Sequence, residues 1–339
     1  MRVSRSADSV DPLDSGDPVR SFRRAHDDGL LLSLATSGTT AHPRRVLRTT
    51  DSWTRSFGHV TDLTGLDDTS RVWVPGPISA TMNLFARVHA DAVGATLVED
   101  STAATHAHLT PLALDRALRD ELLRDETVVI VAGDRLPDPV LERARAAGLT
   151  VHQYYGAAEL SFVAWAQDGR TLLPFPQVAV FIVDDVIWAT SPYLCKGYDG
   201  PDQDGSLRWN DDGAATVGDL GALDNGVLTV RGRGGDAVTV AGVTVLVADV
   251  EDALSSHAAG RVQVTGLADE RLGAALVAAV TDPLDFDRLR DVAHRLLTPA
   301  QRPSRWYVVD ELPVTAAGKP DRVRLQEMLA ALPPTRVAR

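Results

Sequence analysis

The sequence predicts an α/β large domain with a parallel sheet of βαβ units, followed by a small α+β domain. Three observations predict it. Apolar strand-like runs alternate with amphipathic helical stretches from residue 30 to residue 152, a pattern that implies parallel strands joined by right-handed crossovers. After about Arg231 the texture changes to short strands mixed with helices. A chain of 339 residues, at roughly 150 per domain, has room for two domains.

The elements follow in order. Residues 1–28 are polar and rich in Asp, Ser and Arg, and are expected to be a flexible N-terminal segment with a short helix over 19–26. The large domain is taken as 29–232. It opens with an apolar strand over 30–35. Residues 72–74 form a β-rich run followed by Pro75-Gly76-Pro77; 78–93 read as a helix closed by Gly94, and 95–98 as the next strand. A buried strand over 127–132 repeats the unit. Asp138 then stands as an N-cap with Pro139 at the first helical position, the helix runs to 147 and stops at Gly148, and 149–152 make another strand. Gly232-Arg233-Gly234-Gly235-Asp236 has the composition of a linker, which sets the small domain at 233–339. There, strands at 238–240, 243–247, 262–266, 275–280 and 306–309 alternate with helices near 249–256, 285–297 and 322–331.

Composition narrows the function classes. The chain is 44% hydrophobic and 24% charged, as globular proteins are. A net charge of −12 disfavours general binding to nucleic-acid backbone or to an anionic membrane. No run of about eighteen apolar residues is present, so no membrane span is expected, and the polar N-terminus does not read as a secretory signal. The single cysteine, Cys195, cannot form an internal disulfide. A cytoplasmic protein is expected. Lysine occurs only at 196 and 319 among 34 basic residues, the rest being arginine.

Four motifs carry chemistry. Thr36-Ser37-Gly38-Thr39-Thr40-Ala41-His42-Pro43-Arg44-Arg45 follows the first strand. Small and hydroxyl residues allow close backbone approach and supply donors, and two arginines supply charge, which is what a phosphate-binding loop needs; taken alone, such a loop also reads as a plain turn. Tyr154-Tyr155-Gly156-Ala157-Ala158-Glu159 and Ala132-Gly133-Asp134-Arg135-Leu136 each follow a parallel strand, so both fall at the carboxyl edge of the sheet, where open α/β sheets bind ligands. An aromatic residue beside a glycine can stack on a flat ring, and Glu159 can hold a divalent cation. On these residues alone, Tyr155 as core and Glu159 as a solvated carboxylate is the simpler reading. Val217-Gly218-Asp219-Leu220-Gly221 holds an aspartate in a glycine-flanked turn that can accept ribose hydroxyls, or is simply a β-turn. Pro313 to Arg322 contains Gly318-Lys319, a tip able to deliver an ammonium to a phosphate or carboxylate. In a chain so biased to arginine, a lysine kept at one position points to a crowded site that needs a compact charge.

Together, and in this order, the four motifs resemble the adenylate-forming superfamily of acyl-CoA synthetases, luciferases and peptide-synthetase adenylation domains. The compact spacing and Tyr155-Gly156-Ala157-Ala158-Glu159-Leu160 look most like the o-succinylbenzoate–CoA ligase branch. The resemblance implies an AMP-forming acid–thiol ligase that uses ATP and Mg²⁺, makes an acyl-adenylate, and transfers the acyl group to CoA or to an acyl carrier protein. It implies that Thr36, Ser37, Gly38, Thr39 and Thr40, with Arg44, grip the β- and γ-phosphates. Gly133 and Asp134 would line the adenine slot, with Tyr155 stacking on the base beside Gly156 and Ala158. Glu159 would hold the metal, and Asp219 and Arg233 the ribose. Gly235 would be the hinge of a mobile small domain, and Lys319 would bridge the substrate carboxylate and the α-phosphate.

The sequence departs from the family pattern at several positions. Ala41 replaces a glycine, Arg44 a lysine, Ala158 and Val217 threonines, and Thr239 a lysine. Only thirty-five residues precede the phosphate loop, so the first part of the large domain is expected to be absent or vestigial, with a homodimer or another partner expected to cover the exposed apolar surface. A non-catalytic nucleotide- or acyl-binding relative is the alternative these losses suggest; an interaction protein is a third reading, supported only by the acidic charge. The acyl pocket is expected to draw on 75–85 and 155–165, which lack a basic residue for a second carboxylate. A fatty or aromatic monocarboxylic acid is the expected substrate.

Overall fold

The computed structural model describes residues 9–35, 44–199, 206–233, 237–240, 243–269, 273–315 and 320–337. They form two compact units, which divide between Val230 and Arg231.

The first unit opens with Ser9–Val10 (β1), Pro18–Asp27 (α1), Leu31–Ala35 (β2), Arg45–Thr49 (β3) and Asp51–Thr64 (α2). Next come Arg71–Trp73 (β4), Thr81–Ala92 (α3), Thr96–Val98 (β5), His106–Leu109 (β6), Pro111–Arg119 (α4), Val128–Val131 (β7), Asp138–Ala146 (α5) and Thr150–Ala157 (β8). Ser161–Ala166 (β9), Leu173–Pro174 (β10), Ala179–Val183 (β11), Val186–Thr190 (β12), Gly197–Tyr198 (β13), Arg208–Trp209 (β14), Ala215–Thr216 (β15) and Asp219–Asp224 (β16) follow, and Val227–Arg233 (β17) spans the division.

Its central sheet has the order β10-β9-β8-β7-β6-β4-β5. The strands from β4 to β8 are parallel, and β9 and β10 are antiparallel additions. Side-chain alternation divides its two faces. Val129, Val131, Ala107, Leu109 and Val151 pack on Leu114 of α4 and Leu141 of α5. Ile130, Phe162 and Trp165 pack on Trp53 and Val60 of α2 and on Leu84 and Phe85 of α3. Local signals fix the helix ends: Thr110 caps α4 by accepting from Ala113 N–H at 3.2 Å, ahead of Pro111, and Gly65, at φ 70°, ends α2.

The second face also buries four histidines. Ala107 and Leu109 belong to the opposite face, so His106 and His108 point toward α2 and α3. His106 Nε2 lies 3.1 Å from the Thr64 carbonyl, His89 Nε2 lies 3.0 Å from Thr61 Oγ1, and Trp165 Nε1 donates to His152 Nδ1 at 3.1 Å. Burial lowers all four from the usual imidazole range, His89 to about 4 and His108 to about 3.

Three local expectations change. Residues 9–28 are built into the unit: β1 pairs with β2, and Phe22 of α1 is buried and stacks on Trp53 with centroids 5.6 Å apart. Apolar residues three apart, Phe22 and Ala25, supply the buried face that the polar composition concealed. Asp138 lies inside the first turn of α5, with Pro137 at the N-cap, and pairs with Arg170 at 3.1 Å. The strand expected at 149–152 continues to Ala157, because β9 folds back and pairs with its second half.

The second unit comprises Ala237–Val240 (β18), Val243–Leu246 (β19), Val247–Ser255 (α6), Val262–Asp269 (β20), Gly273–Val280 (β21), Asp285–Leu296 (α7), Arg305–Val308 (β22), Arg322–Ala330 (α8) and Arg336–Val337 (β23). Its sheet runs β19-β18-β21-β22-β23, with β20 on β21; β21 and β22 are parallel, with α7 as their crossover. Val250, Leu254, Leu289 and Val292 cover one face, and Leu325 and Leu329 the other. Arg322 clasps Glu251 through two bonds of 2.6 and 2.8 Å. No helix among the described residues is long and apolar enough to cross a membrane.

Candidate active site

The carboxyl edge of the parallel sheet gathers the polar residues. β7 is followed by Gly133, at φ 95°, and exposed Asp134, whose carboxylate accepts from Arg135 N–H at 2.8 Å. Neighbouring β8 ends in Tyr154–Ala157, strand residues where a loop was expected. Gly156 has a structural duty here: a Cβ on it would lie 2.1 Å from the Ser161 carbonyl oxygen, so the β8–β9 hairpin closes only on glycine.

Two buried carboxylates flank that hairpin, and each is held by a phenol. Tyr155 Oη donates to Asp219 Oδ2 at 2.8 Å, joining two motifs 64 residues apart. Tyr198 Oη donates to Glu159 Oε1 at 2.8 Å and accepts from Leu207 N–H at 3.3 Å. Both carboxylates are 7% exposed, so Glu159 is not the solvated surface acid that the bland reading favoured. A carboxylate this far from water needs donors of this kind. Burial and the Glu159 charge push the Tyr198 phenol up to about 12, so it remains a donor.

Behind Glu159, Cys195 N–H donates to its backbone carbonyl at 2.9 Å. Burial pushes the Cys195 thiol up, against the opposing charge of Arg48. Arg48 is fully buried, donates to the Tyr193 carbonyl at 3.1 Å and lies over the Trp53 ring; burial lowers it to about 10. Of the two arginines that follow segment 36–43, Arg45 is committed to the fold, with Asp11 at 2.6 Å and Ser33 Oγ at 2.8 Å. Arg44, half-buried, makes no ion pair among the described residues.

Thr36, Ser37, Gly38, Thr39, Thr40, Gly235 and Lys319 lie outside the described residues, as does the side chain of Arg233. Among the departures, Val217 is buried in the apolar cluster of Leu160, Val163, Ile187 and Leu228, and Ala158 packs beside Val46, Cys195 and Tyr198. Sequence reasoning missed Tyr198 and Arg48. Gly197-Tyr198 forms only a two-residue strand, and Arg48 reads as one more arginine in an arginine-rich chain.

A family model described as AMP-binding enzyme matches residues 4–198. The chain belongs to the AMP-binding enzyme family. A probable 2-succinylbenzoate–CoA ligase of Mycobacterium tuberculosis is 31% identical over 334 residues, covering 90% of this chain and 86% of that protein. Among solved structures, an Escherichia coli MenE variant with bound OSB-AMS superposes with a TM-score of 0.78 at 25% identity, over 89% of this chain and 69% of that one. ATP-bound MatB from Rhodopseudomonas palustris shares the fold, with a TM-score of 0.79 at 22% identity over 89% of this chain and 69% of its own. In this AMP-binding enzyme the two phenol-held carboxylates therefore sit on the large unit of an adenylate-forming fold.

Proposed function

We propose that this chain joins a carboxylic acid to ATP and then to a thiol. A carboxylate oxygen attacks the α-phosphorus, a P–O bond to pyrophosphate breaks, and an acyl-adenylate remains. The thiolate of CoA then attacks the acyl carbon and AMP leaves. The observation that carries this reading is the pair of phenol-held carboxylates at the sheet edge of an AMP-binding family member.

Each residue has a role. Asp219, oriented by Tyr155, receives the ribose hydroxyls, and Arg233 is assigned to the same hydroxyls. Gly133, Asp134, Tyr155, Gly156 and Ala158 border the adenine. Thr36 to Thr40 and Arg44 hold the outer phosphates. Attack of one anion on another is slow because their charges repel, and Lys319 offsets that repulsion where they meet. Glu159 offers Mg²⁺ one carboxylate oxygen beyond the one bonded to Tyr198. That suits an ion which takes one or two carboxylates and fills its shell with phosphate oxygens and water. When bound, the ion supplies charge neutralisation at the phosphates.

The substrate is an aromatic or fatty carboxylic acid. The curated relatives include proteins named for 2-succinylbenzoate and for salicylate. A reaction that consumes ATP and CoA, in a chain with one reduced cysteine, fits the cytoplasm. Acid-dependent pyrophosphate exchange into ATP, across benzoate, salicylate, 2-succinylbenzoate and fatty acids, tests the first step. Exchange with one class that falls at least a hundredfold in Lys319→Ala is the expected result. ATP binding with no exchange for any acid overturns it in favour of a non-catalytic nucleotide-binding protein. Capture of the acyl group by CoA, set against a carrier protein, identifies the acceptor.

A further inference from the structure

We infer that Tyr198 is a positioning residue for the metal-binding carboxylate, setting the orientation of Glu159 through the hydrogen bond to Oε1. The inference rests on the reading of Glu159 as the residue that holds Mg²⁺.

The geometry gives Tyr198 this task. Glu159 lies in the three-residue turn between β8 and β9, and its side chain receives a single hydrogen bond among the described residues, the one from Tyr198. A free glutamate samples several rotamers. Here Oε1 is tethered, which restricts the rotamers of the side chain and leaves Oε2 the carboxylate oxygen without a hydrogen bond among the described residues. Tyr198 is itself fixed from three directions. Its backbone pairs with Val46 of β3, its ring is buried with Val46 and Cys195, and its hydroxyl accepts from Leu207 N–H at 3.3 Å. The strand that holds Tyr198 is β3, which begins at Arg45, directly after the phosphate loop. The same strand therefore anchors the exit of that loop and the donor that aims Glu159. Second-sphere donors of this kind commonly change metal affinity by tenfold or more when removed.

The test compares the full-length protein with Tyr198→Phe, Glu159→Gln and a variant with 4-aminophenylalanine at position 198, which restores a donor at the same place. Dissociation constants are measured for Mn·ATP by water-proton relaxation and for metal-free ATP in chelator, together with the thermal midpoint. Tyr198→Phe is expected to weaken Mn·ATP about tenfold, to leave metal-free ATP within twofold, and to keep the ring packing and hence the fold. The 4-aminophenylalanine variant is expected to stay within about threefold of the parent. If Glu159→Gln weakens Mn·ATP at least tenfold while Tyr198→Phe stays within twofold, Tyr198 does not position the ligand, although Glu159 still holds the metal. If Glu159→Gln leaves Mn·ATP within twofold, the reading of Glu159 fails, and the role of Tyr198 with it. Should Tyr198→Phe not fold, a folded 4-aminophenylalanine variant that loses Mn·ATP affinity tenfold overturns the inference equally.

Discussion

Two of the places where the large unit buries titratable groups differ in what surrounds them. Beneath α2 and α3, His89, His106, His108 and His152 are held where burial favours the neutral ring. At the carboxyl edge of the same sheet, Asp219 and Glu159 are as deeply buried, and each accepts a hydrogen bond from a tyrosine phenol. β8 crosses both regions, with His152 in the first and Tyr155 in the second. Burial alone therefore does not mark a functional group in this protein.

The difference can be attacked first at the hinge of the edge cluster. Gly156→Ala forces the β8–β9 hairpin open against the Ser161 carbonyl, and Tyr155 and Glu159 lie on either side of it. We expect a loss of about 3 kcal/mol in denaturant unfolding together with loss of both nucleotide and metal affinity. Retention of nucleotide binding would separate the hairpin from the site. A smaller effect is expected from Tyr155→Phe, which removes the hydrogen bond to Asp219 and keeps the ring. The Michaelis constant for ATP should rise about tenfold with kcat within twofold; an unchanged constant would make Asp219 a structural acid.

The interior region is tested by acid. Its histidines have folded-state values below the unfolded value of about 6.5, so between the two the unfolded chain binds more protons. Stability is thus complete above about pH 6.5 and falls as pH drops toward the folded values of about 4 for His89 and about 3 for His108, by up to about 1.4 kcal/mol per pH unit for each ring. His108→Leu should lower the midpoint of acid unfolding by about half a pH unit, read by circular dichroism. A midpoint that does not move would mean that the carboxylates, not the histidines, set acid stability.

The parallel sheet was legible because short continuous apolar runs and glycine-terminated helices announce themselves locally. Residues 161–232 were not, since their many strands are short and owe their pairing to partners far along the chain; β16 meets β12, and β13 meets β3. At the site, residue types named Asp219 and Glu159, but the tyrosine on each depended on tertiary contact. Substitutions also read differently in three dimensions. Val217 looked like a lost hydroxyl contact, yet its side chain packs in an apolar cluster beside Ile187 and Leu228. Arg45 looked like half of a phosphate clamp, yet it ties β3 to Asp11 and Ser33.

Cys195, sealed beneath Tyr198 and Val46 with its thiol pushed toward the protonated form, is the chain's single sulfhydryl. Thiol reagents should pass it by while the protein is native. Colorimetric titration of free CoA can then run in the presence of enzyme without background, and the sudden appearance of one reactive equivalent becomes a label-free signal that the large unit has come apart.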